Sequence, residues 1–95
     1  MVTGLLVVEL HLPAANSLKS KRQVVKSLKD RLGNRYNISV AEVDHLDKWQ
    51  RATLAIAIVS SDQKVLEAQI ETIKSFIEQE IIGSGYITAS EFTLL

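Results

Sequence analysis

The sequence predicts an α+β domain whose elements follow the order β-α-β-β-α-β. Three observations support this order: apolar residues alternate at a spacing of two near the start of the chain, two later segments carry apolar residues at helical spacing, and segments rich in β-branched residues lie between and after them. A chain of 95 residues with 46 % hydrophobic and 23 % charged residues has the length and composition of one globular domain. We therefore expect residues 1–95 to fold as a single unit.

The first strand is predicted over residues 2–12, where the even-numbered positions are apolar or glycine and share one face. The first helix is predicted to begin after Ser17, a favourable N-cap, and to end at Gly33 and Asn34. Between these limits the apolar residues recur at helical spacing at Leu18, Val25, Leu28 and Leu32.

Residues 36–44 and 49–60 are rich in β-branched residues and flank the polar turn HLDK, so they are predicted to form a hairpin. The second helix is predicted over residues 62–82, with Ser60 and Gln63 as a capping box and an apolar stripe at Leu66, Ile70, Ile73, Ile77 and Ile81. The last strand follows the turn at residues 83–85. This order is the ferredoxin-like split motif, a four-stranded antiparallel sheet with two helices on one face.

The face of the sheet away from the helices is predicted to be aliphatic. With Leu6 and Val8 directed toward the helices, this open face receives Leu5, Val7, Ala55, Ala57 and Val59. RNA recognition motifs share the topology but stack bases on aromatic residues of the central strands, which are missing here apart from Trp49. An aliphatic face indicates burial against another chain, and we expect a homo-oligomer, most simply a dimer.

The formal net charge is zero, but the charges are unevenly distributed. Residues 17–35 hold seven of the eleven lysines and arginines and one acid, whereas residues 62–91 hold six acids and two lysines. On a helical wheel, a basic ridge forms from Lys19, Arg22, Lys26 and Lys29.

The basic ridge has two interpretations. It is either a solvated helix face or a surface that neutralises the phosphates of RNA. Lys21 falls within the apolar sector of the first turn, where the helix dipole disfavours a cation, so it either extends along the edge of the core or belongs to the binding surface. The candidate residues for binding RNA or another anion are Lys19, Lys21, Arg22, Lys26, Lys29, Arg31 and Arg35.

The segments SLKSKRQVVKSLKDRL and NISVAEVDHLDKWQRATLAIAIVSSD resemble the YlxP-like family, small bacterial proteins of unassigned function with a ferredoxin-like fold. The resemblance extends over nearly the whole chain and marks Lys19, Lys21, Arg22 and the run Trp49–Arg51 as positions of interest. Members are often encoded among genes for translation initiation and ribosome maturation. The resemblance therefore favours ribosomal RNA as the ligand of the ridge.

The segment AEVDHLDKWQRA is dense in polar groups. Asp44, His45 and Asp47 suggest a metal site, but adjacent strand residues point to opposite faces and the spacing matches no established ligand set, so no metal is expected. An acid–base role for Glu42, Asp44 or His45 would need a pocket and a partner. We expect the acids to pair with Arg51 or with the helix cations, and Trp49 to pack at the edge of the sheet and fix the start of the third strand. Arg51 is expected beside it on the open side, and both belong to the predicted partner-contact surface.

Several function classes are disfavoured by the sequence. The chain has no cysteine, which excludes disulfides and thiolate chemistry, and its first residues lack the basic region of a signal peptide, so we expect a cytoplasmic protein. The loop LPAANS lacks the glycine and arginine with which acylphosphatases of this fold bind phosphate, and the glycine-bearing turn of ACT-type sensor domains is also missing. We expect first an RNA- or ribosome-associated binding protein, second a homo-oligomeric interaction or regulatory module, and only third an enzyme; no cofactor or small-molecule substrate is indicated.

Overall fold

The structure is a computed structural model that describes residues 1–95, and it confirms the predicted element order. The elements are β1 (Val2–His11), α1 (Leu18–Arg35), β2 (Ser39–Asp44), β3 (Arg51–Ser60), α2 (Gln63–Glu80) and β4 (Tyr86–Leu94). The strands form one sheet in the order β2-β3-β1-β4, with every neighbouring pair antiparallel. This is the predicted ferredoxin-like arrangement. Neither helix combines the length and apolarity needed to cross a membrane.

The hydrophobic core lies between one face of the sheet and the two helices. The even-numbered residues of β1 and β3 are opposite each other, as in the pairs Leu6–Ile56 and Val8–Leu54, and all four are buried. The buried residues of both helices join the same cluster. The predicted helical stripes supply it with Val25, Leu28, Leu32, Leu66, Ile70, Ile73 and Ile77.

The helix boundaries agree with the prediction at one end of α1 and differ elsewhere. Ser17 is confirmed as the N-cap of α1, since its Oγ accepts a hydrogen bond from the backbone N–H of Ser20 at 3.0 Å. The predicted stop at Gly33 is wrong, because the helix continues to Arg35 and the N–H of Tyr36 still donates to the carbonyl of Leu32. Glycine lowers helix propensity but does not end a helix whose following turn still completes its hydrogen bonds.

The second helix begins later than predicted, and the hairpin strands are shorter. The N-cap of α2 is Asp62 rather than Ser60, because the Asp62 carboxylate accepts a hydrogen bond from the N–H of Val65 at 2.9 Å. β2 begins at Ser39, so residues 36–38 belong to the connection that follows α1. β3 begins at Arg51, so residues 49 and 50 join the predicted turn and lengthen the β2–β3 connection to residues 45–50, which we call the hairpin loop.

The open face of the sheet has the predicted aliphatic character. Leu5 pairs with Ala57 and Val7 with Ala55, and the neighbouring Val59 is 61 % exposed. Leu5, Val7 and Ala55 are partly exposed because their neighbours in the sheet cover only their sides. The centre of this face is therefore apolar and lies in contact with solvent.

Gly85 allows β4 to begin directly beside the end of β1. A Cβ at this position would lie 2.0 Å from the carbonyl oxygen of His11, a backbone atom that cannot move aside. We therefore expect Gly85→Ala to lower the free energy of unfolding by about 1–3 kcal/mol or more, measured by urea denaturation. Gly33→Ala is the matched control, because nothing lies within 4 Å of its added methyl group, and it should gain about 0.5–1 kcal/mol from helix propensity. Equal effects of the two substitutions would contradict this account of the β4 start.

Candidate functional site

The basic ridge lies on the solvent-facing side of α1, as predicted. Lys19, Arg22 and Lys26 are exposed and Lys29 is partly exposed. Lys19, Arg22 and Lys29 form no salt bridge. Their charges therefore remain available to an anion from outside the protein.

The other surface cations of α1 have partners within the protein. Lys26 lies 2.8 Å from the Asp30 carboxylate, and this hydrogen bond, followed by the negative charge of Asp30, raises the pKa of Lys26 above its ordinary value of 10.5. Arg31 pairs with Glu80 of α2. The guanidinium of Arg35 lies 5.4 Å from the centre of the Phe76 ring, within the range of a cation–π contact. Arg31 and Arg35 thus link α1 to α2 and do not extend the ridge as predicted.

Lys21 is not part of the binding surface, which corrects the prediction for this residue. Its side chain is completely buried, and its ammonium group donates hydrogen bonds to the Glu42 carboxylate at 2.9 Å and to the carbonyl of His45 at 2.8 Å. The carbonyls of Leu46 and Arg51 lie at 3.4 and 3.3 Å. A buried ammonium needs such partners to replace its hydration. Lys21 therefore joins the start of α1 to β2 and to the hairpin loop.

The hairpin loop is held by further hydrogen bonds of its own residues. His45 has a φ of 60°, its N–H donates to the carboxylate of Asp44 at 2.8 Å, and its Nδ1 lies 3.0 Å from Thr53 Oγ1. The positive φ and the register shift between Glu42 and Asp44 turn the chain out of β2. Asp44 and His45 are thus used within the loop, and nowhere in the protein do three His, Asp or Glu side chains gather as metal ligands.

Gln50 ties the other side of the hairpin loop to the connection between β1 and α1. Its side-chain amide donates to the carbonyls of Pro13 and Ala15 at 3.2 and 3.3 Å. Its own carbonyl accepts a hydrogen bond from the N–H of Leu12 at 2.8 Å. Both ends of the loop are therefore fixed to neighbouring elements.

Trp49 does not pack at the edge of the sheet, which corrects the prediction for its side chain. It is 54 % exposed and lies outside the group of hydrophobic residues that pack against the core. An open depression of about 410 Å³ is lined by His11, Lys48, Trp49, Gln50 and Arg51. Because the hydrogen bonds of the loop hold its backbone, the indole ring is not needed to fix the start of β3.

A row of three residues crosses the open face beside this depression. Arg51 of β3 and Tyr86 of β4 both pair with His11 of β1, so the three side chains lie on one face. The His11 and Tyr86 rings are in edge contact at 5.4 Å, and Tyr86 is 55 % exposed. Arg51 faces the open side as predicted, with Glu9 at 3.9 Å. We call the group His11, Lys48, Trp49, Arg51 and Tyr86 the hairpin end.

The sequence did not identify Tyr86 as a member of this group. The pairing of β1 with β4 shifts between Glu9 and Leu10, which leaves Thr88 as an extra residue in β4. This bulge places Tyr86 on the open face, whereas strict alternation from Glu91 and Ala89 would place it on the core face. The only signal in the sequence was the irregular alternation of this strand.

Comparisons with known proteins match the chain to one family and to a common fold. The family model described as "Protein of unknown function (DUF503)" matches residues 3–88. The uncharacterized protein YlxP of Bacillus subtilis strain 168 is 39 % identical over 64 residues, which cover 67 % of this chain and 70 % of that protein. The resemblance to YlxP-like proteins is thereby confirmed.

Two solved structures show the same fold at low identity. A de novo designed protein with a ferredoxin fold has a TM-score of 0.60 and 18 % identity, covering 100 % of this chain and 84 % of the design. The YXEP protein of Bacillus subtilis, a dinuclear metal-binding peptidase, has a TM-score of 0.61 and 12 % identity. The match covers 99 % of this chain but only 25 % of the peptidase. These likenesses concern the fold alone.

The buried pair of Lys21 and Glu42 yields a test of stability. Lys21→Met leaves the Glu42 carboxylate, 11 % exposed, without its cation, and we expect a loss of about 3–5 kcal/mol in the free energy of unfolding. The double variant Lys21→Met/Glu42→Leu should recover part of the loss, because removing both charges leaves neither one unpaired. Denaturant unfolding of both variants and of the exposed control Lys19→Met gives the comparison. Wild-type stability in Lys21→Met would contradict a structural role for this ammonium group.

Proposed function

The chain belongs to the DUF503 family of proteins of unknown function, and we propose that it is a non-enzymatic protein that binds structured RNA through the phosphate backbone. The observation that carries the proposal is the set of unpaired cations on one face of α1, Lys19, Arg22 and Lys29. A cation without a carboxylate partner gains more from a phosphate than one that must first leave its partner. Lys26, whose pair with Asp30 is largely exposed to solvent, contributes a fourth contact because such pairs are weak.

The dimensions of the basic ridge suit a nucleic acid strand. Ten residues separate Lys19 from Lys29, which corresponds to about 15 Å along the helix axis. In a DNA duplex, phosphates of one strand follow one another every 3.4 Å or so along the axis, and an RNA duplex is more compact, so a ridge aligned with the axis faces about four phosphates or more. The zero net charge of the protein does not oppose binding, because charges farther away than about 8 Å are largely screened at physiological salt.

The connection between β1 and α1 favours a binding role over phosphate-transfer chemistry. The carbonyls of Pro13 and Ala15 point at Gln50, and the N–H of Ala15 already donates to the carbonyl of Leu12. A phosphate cradle requires several free backbone amides directed at one point. This connection instead presents the carbonyl oxygens of Pro13 and Ala15 to the Gln50 amide, and carbonyl oxygens repel an anion. Ribosomal RNA is the proposed ligand because YlxP-like proteins are often encoded beside genes for translation initiation and ribosome maturation.

A second proposal concerns the open face of the sheet, which we infer is an interface between copies of the chain. The supporting observation is the exposed aliphatic surface formed by Ala57 and Val59 beside Leu5, Val7 and Ala55. In a two-fold dimer this surface would meet itself and become buried. The basic ridge lies on the helix side of the molecule, so this interface would leave it free for RNA.

Binding of RNA by the ridge predicts a steep salt dependence. With about four phosphates neutralised, the logarithm of the affinity for a structured RNA should fall with the logarithm of the salt concentration at a slope of about −3 to −4. Lys19→Gln/Arg22→Gln should reduce the slope by about 1.5–2 and weaken binding to all sequences alike, since phosphate contacts do not read bases.

The matched control removes the same number of charges from the other helix. Lys64→Gln/Lys74→Gln changes two lysines of α2 and should leave both the affinity and the slope unchanged. Fluorescence anisotropy of a labelled RNA measures both quantities. Salt-independent binding, or equal losses in the two double variants, would rule out the ridge as the phosphate-binding surface.

Self-association through the open face predicts that Val7→Glu lowers the oligomeric mass. The substitution places a charge in the centre of the aliphatic surface, where its burial against a second copy would be unfavourable. Light scattering during size exclusion should give a multiple of 10.6 kDa for the wild type and 10.6 kDa for the variant. Gln63→Glu, at the exposed start of α2, is the control and should keep the wild-type mass. A monomeric wild type would refute the interface.

A further inference from the structure

We propose that the hairpin end binds an unpaired nucleobase of RNA, which stacks on the indole ring of Trp49 while Lys48 and Arg51 contact the adjoining phosphates. This inference rests on the proposed RNA-binding function and specifies which part of the RNA the hairpin end binds. Nucleobases inside a duplex are stacked on one another, so only an unpaired base can offer its face to an aromatic side chain.

The placement of the aromatic residues is the first argument. The chain has five aromatic residues besides its histidines, namely one Trp, two Tyr and two Phe. Tyr36, Phe76 and Phe92 pack against the core, whereas Trp49 and Tyr86 do not and are each more than half exposed. Both therefore expose aromatic surface that the fold does not use, and both belong to the same end of the molecule.

The rigidity of the loop that carries Trp49 is the second argument. Lys21 binds the carbonyls of His45, Leu46 and Arg51 around it, and Gln50 binds the β1–α1 connection beside it. The backbone is thus fixed while the ring extends into solvent. A ring held in this way loses little conformational freedom when a flat ligand stacks on it, which favours binding.

The charges around the depression are the third argument. Lys48 and Arg51 are exposed, and the Arg51–Glu9 separation of 3.9 Å is at the outer limit of an ion pair. Both cations line the same open depression as Trp49. Cations next to aromatic rings are the combination with which proteins hold single-stranded nucleic acids.

The position relative to the basic ridge is the fourth argument. Lys21 connects the first turn of α1 to the hairpin loop, and its neighbours Lys19 and Arg22 begin the ridge. The ridge lies on the helix side and His11, Arg51 and Tyr86 lie on the open face, so an RNA bound to the ridge would have to pass around the edge of the sheet to bring a bulged or terminal base to the hairpin end. A protein partner would be favoured instead by the exposed Leu46 of the same loop, and the test distinguishes the two.

Trp49 is the only tryptophan, so its fluorescence reports directly on this surface. We expect a single-stranded oligouridylate to quench the emission strongly and a blunt, fully paired RNA duplex of the same length to quench it little. Trp49→Ala should weaken binding of the oligouridylate, measured by anisotropy, by about 5- to 150-fold, and Trp49→Phe should retain most of the affinity. The melting temperature of Trp49→Ala should change by less than about 4 °C, which shows that the variant is folded.

Leu46→Ala is the matched control, an exposed apolar residue of the same loop, and should bind oligouridylate like the wild type. Equal quenching by duplex and single strand, or wild-type affinity in Trp49→Ala, would overturn the inference. Equal losses in Leu46→Ala and Trp49→Ala would identify a general apolar contact surface and would overturn it as well.

The outcome for the ridge is separable from the outcome for the hairpin end. Suppose that duplex binding depends on Lys19 and Arg22 while the single-stranded oligouridylate does not quench the fluorescence of Trp49. This outcome leaves the proposed function intact and refutes this inference alone. Quenching by the single strand, together with duplex binding that is unaffected by Lys19→Gln/Arg22→Gln, supports the hairpin end and refutes the ridge. Absence of binding to either RNA refutes both.

Discussion

The buried ammonium group of Lys21 is the interaction on which the shape of the candidate site depends. It connects α1, β2 through Glu42, and the hairpin loop through backbone carbonyls. Burial of a lysine is unfavourable unless every proton finds an acceptor, and here four oxygens surround three protons. All four acceptors lie within residues 42–51, 21 to 30 positions after Lys21, so the ammonium group fixes the end of β2 and the hairpin loop against α1. His45, the residue with the positive φ, also supplies the carbonyl that makes the shortest of the four contacts with the ammonium group.

The fold followed from the sequence more readily than the site did. The alternation of apolar residues in β1 and the apolar stripe in α2 depend only on residues close together in the sequence. The strand and the helix predicted from them are both confirmed. The ridge was also predicted, since the wheel positions of Lys19, Arg22 and Lys26 depend only on the helix. Lys21 differs because its partner Glu42 lies 21 residues away, and the wheel shows that it faces inward but not what it meets.

The hairpin end depends on features that periodicity does not encode. Trp49 was expected to pack at the edge of the sheet and fix the start of β3, but hydrogen bonds fix the loop and the ring is not needed for this. Tyr86 reaches the open face through a bulge of one residue in β4, and a single inserted residue reverses the face of everything beyond it. Both differences arise at backbone irregularities. They also place the exposed aromatic rings at the same end of the molecule.

The structure also shows that fewer cations of the basic segment, residues 17–35, are available to a ligand than the sequence suggests. Of its seven cations, Lys21 is buried, Arg31 is paired with Glu80, and Arg35 lies over Phe76, so a count of basic residues overstates the charge available to a ligand. The remaining four are the cations of the basic ridge, which we propose to hold a phosphate backbone, and phosphate contacts carry no sequence information. A protein that must select one RNA among many therefore needs a second contact that reads a base or its unpaired state. Under the proposed RNA-binding function, the hairpin end would supply this second contact with the exposed rings of Trp49 and Tyr86 and the cations Lys48 and Arg51.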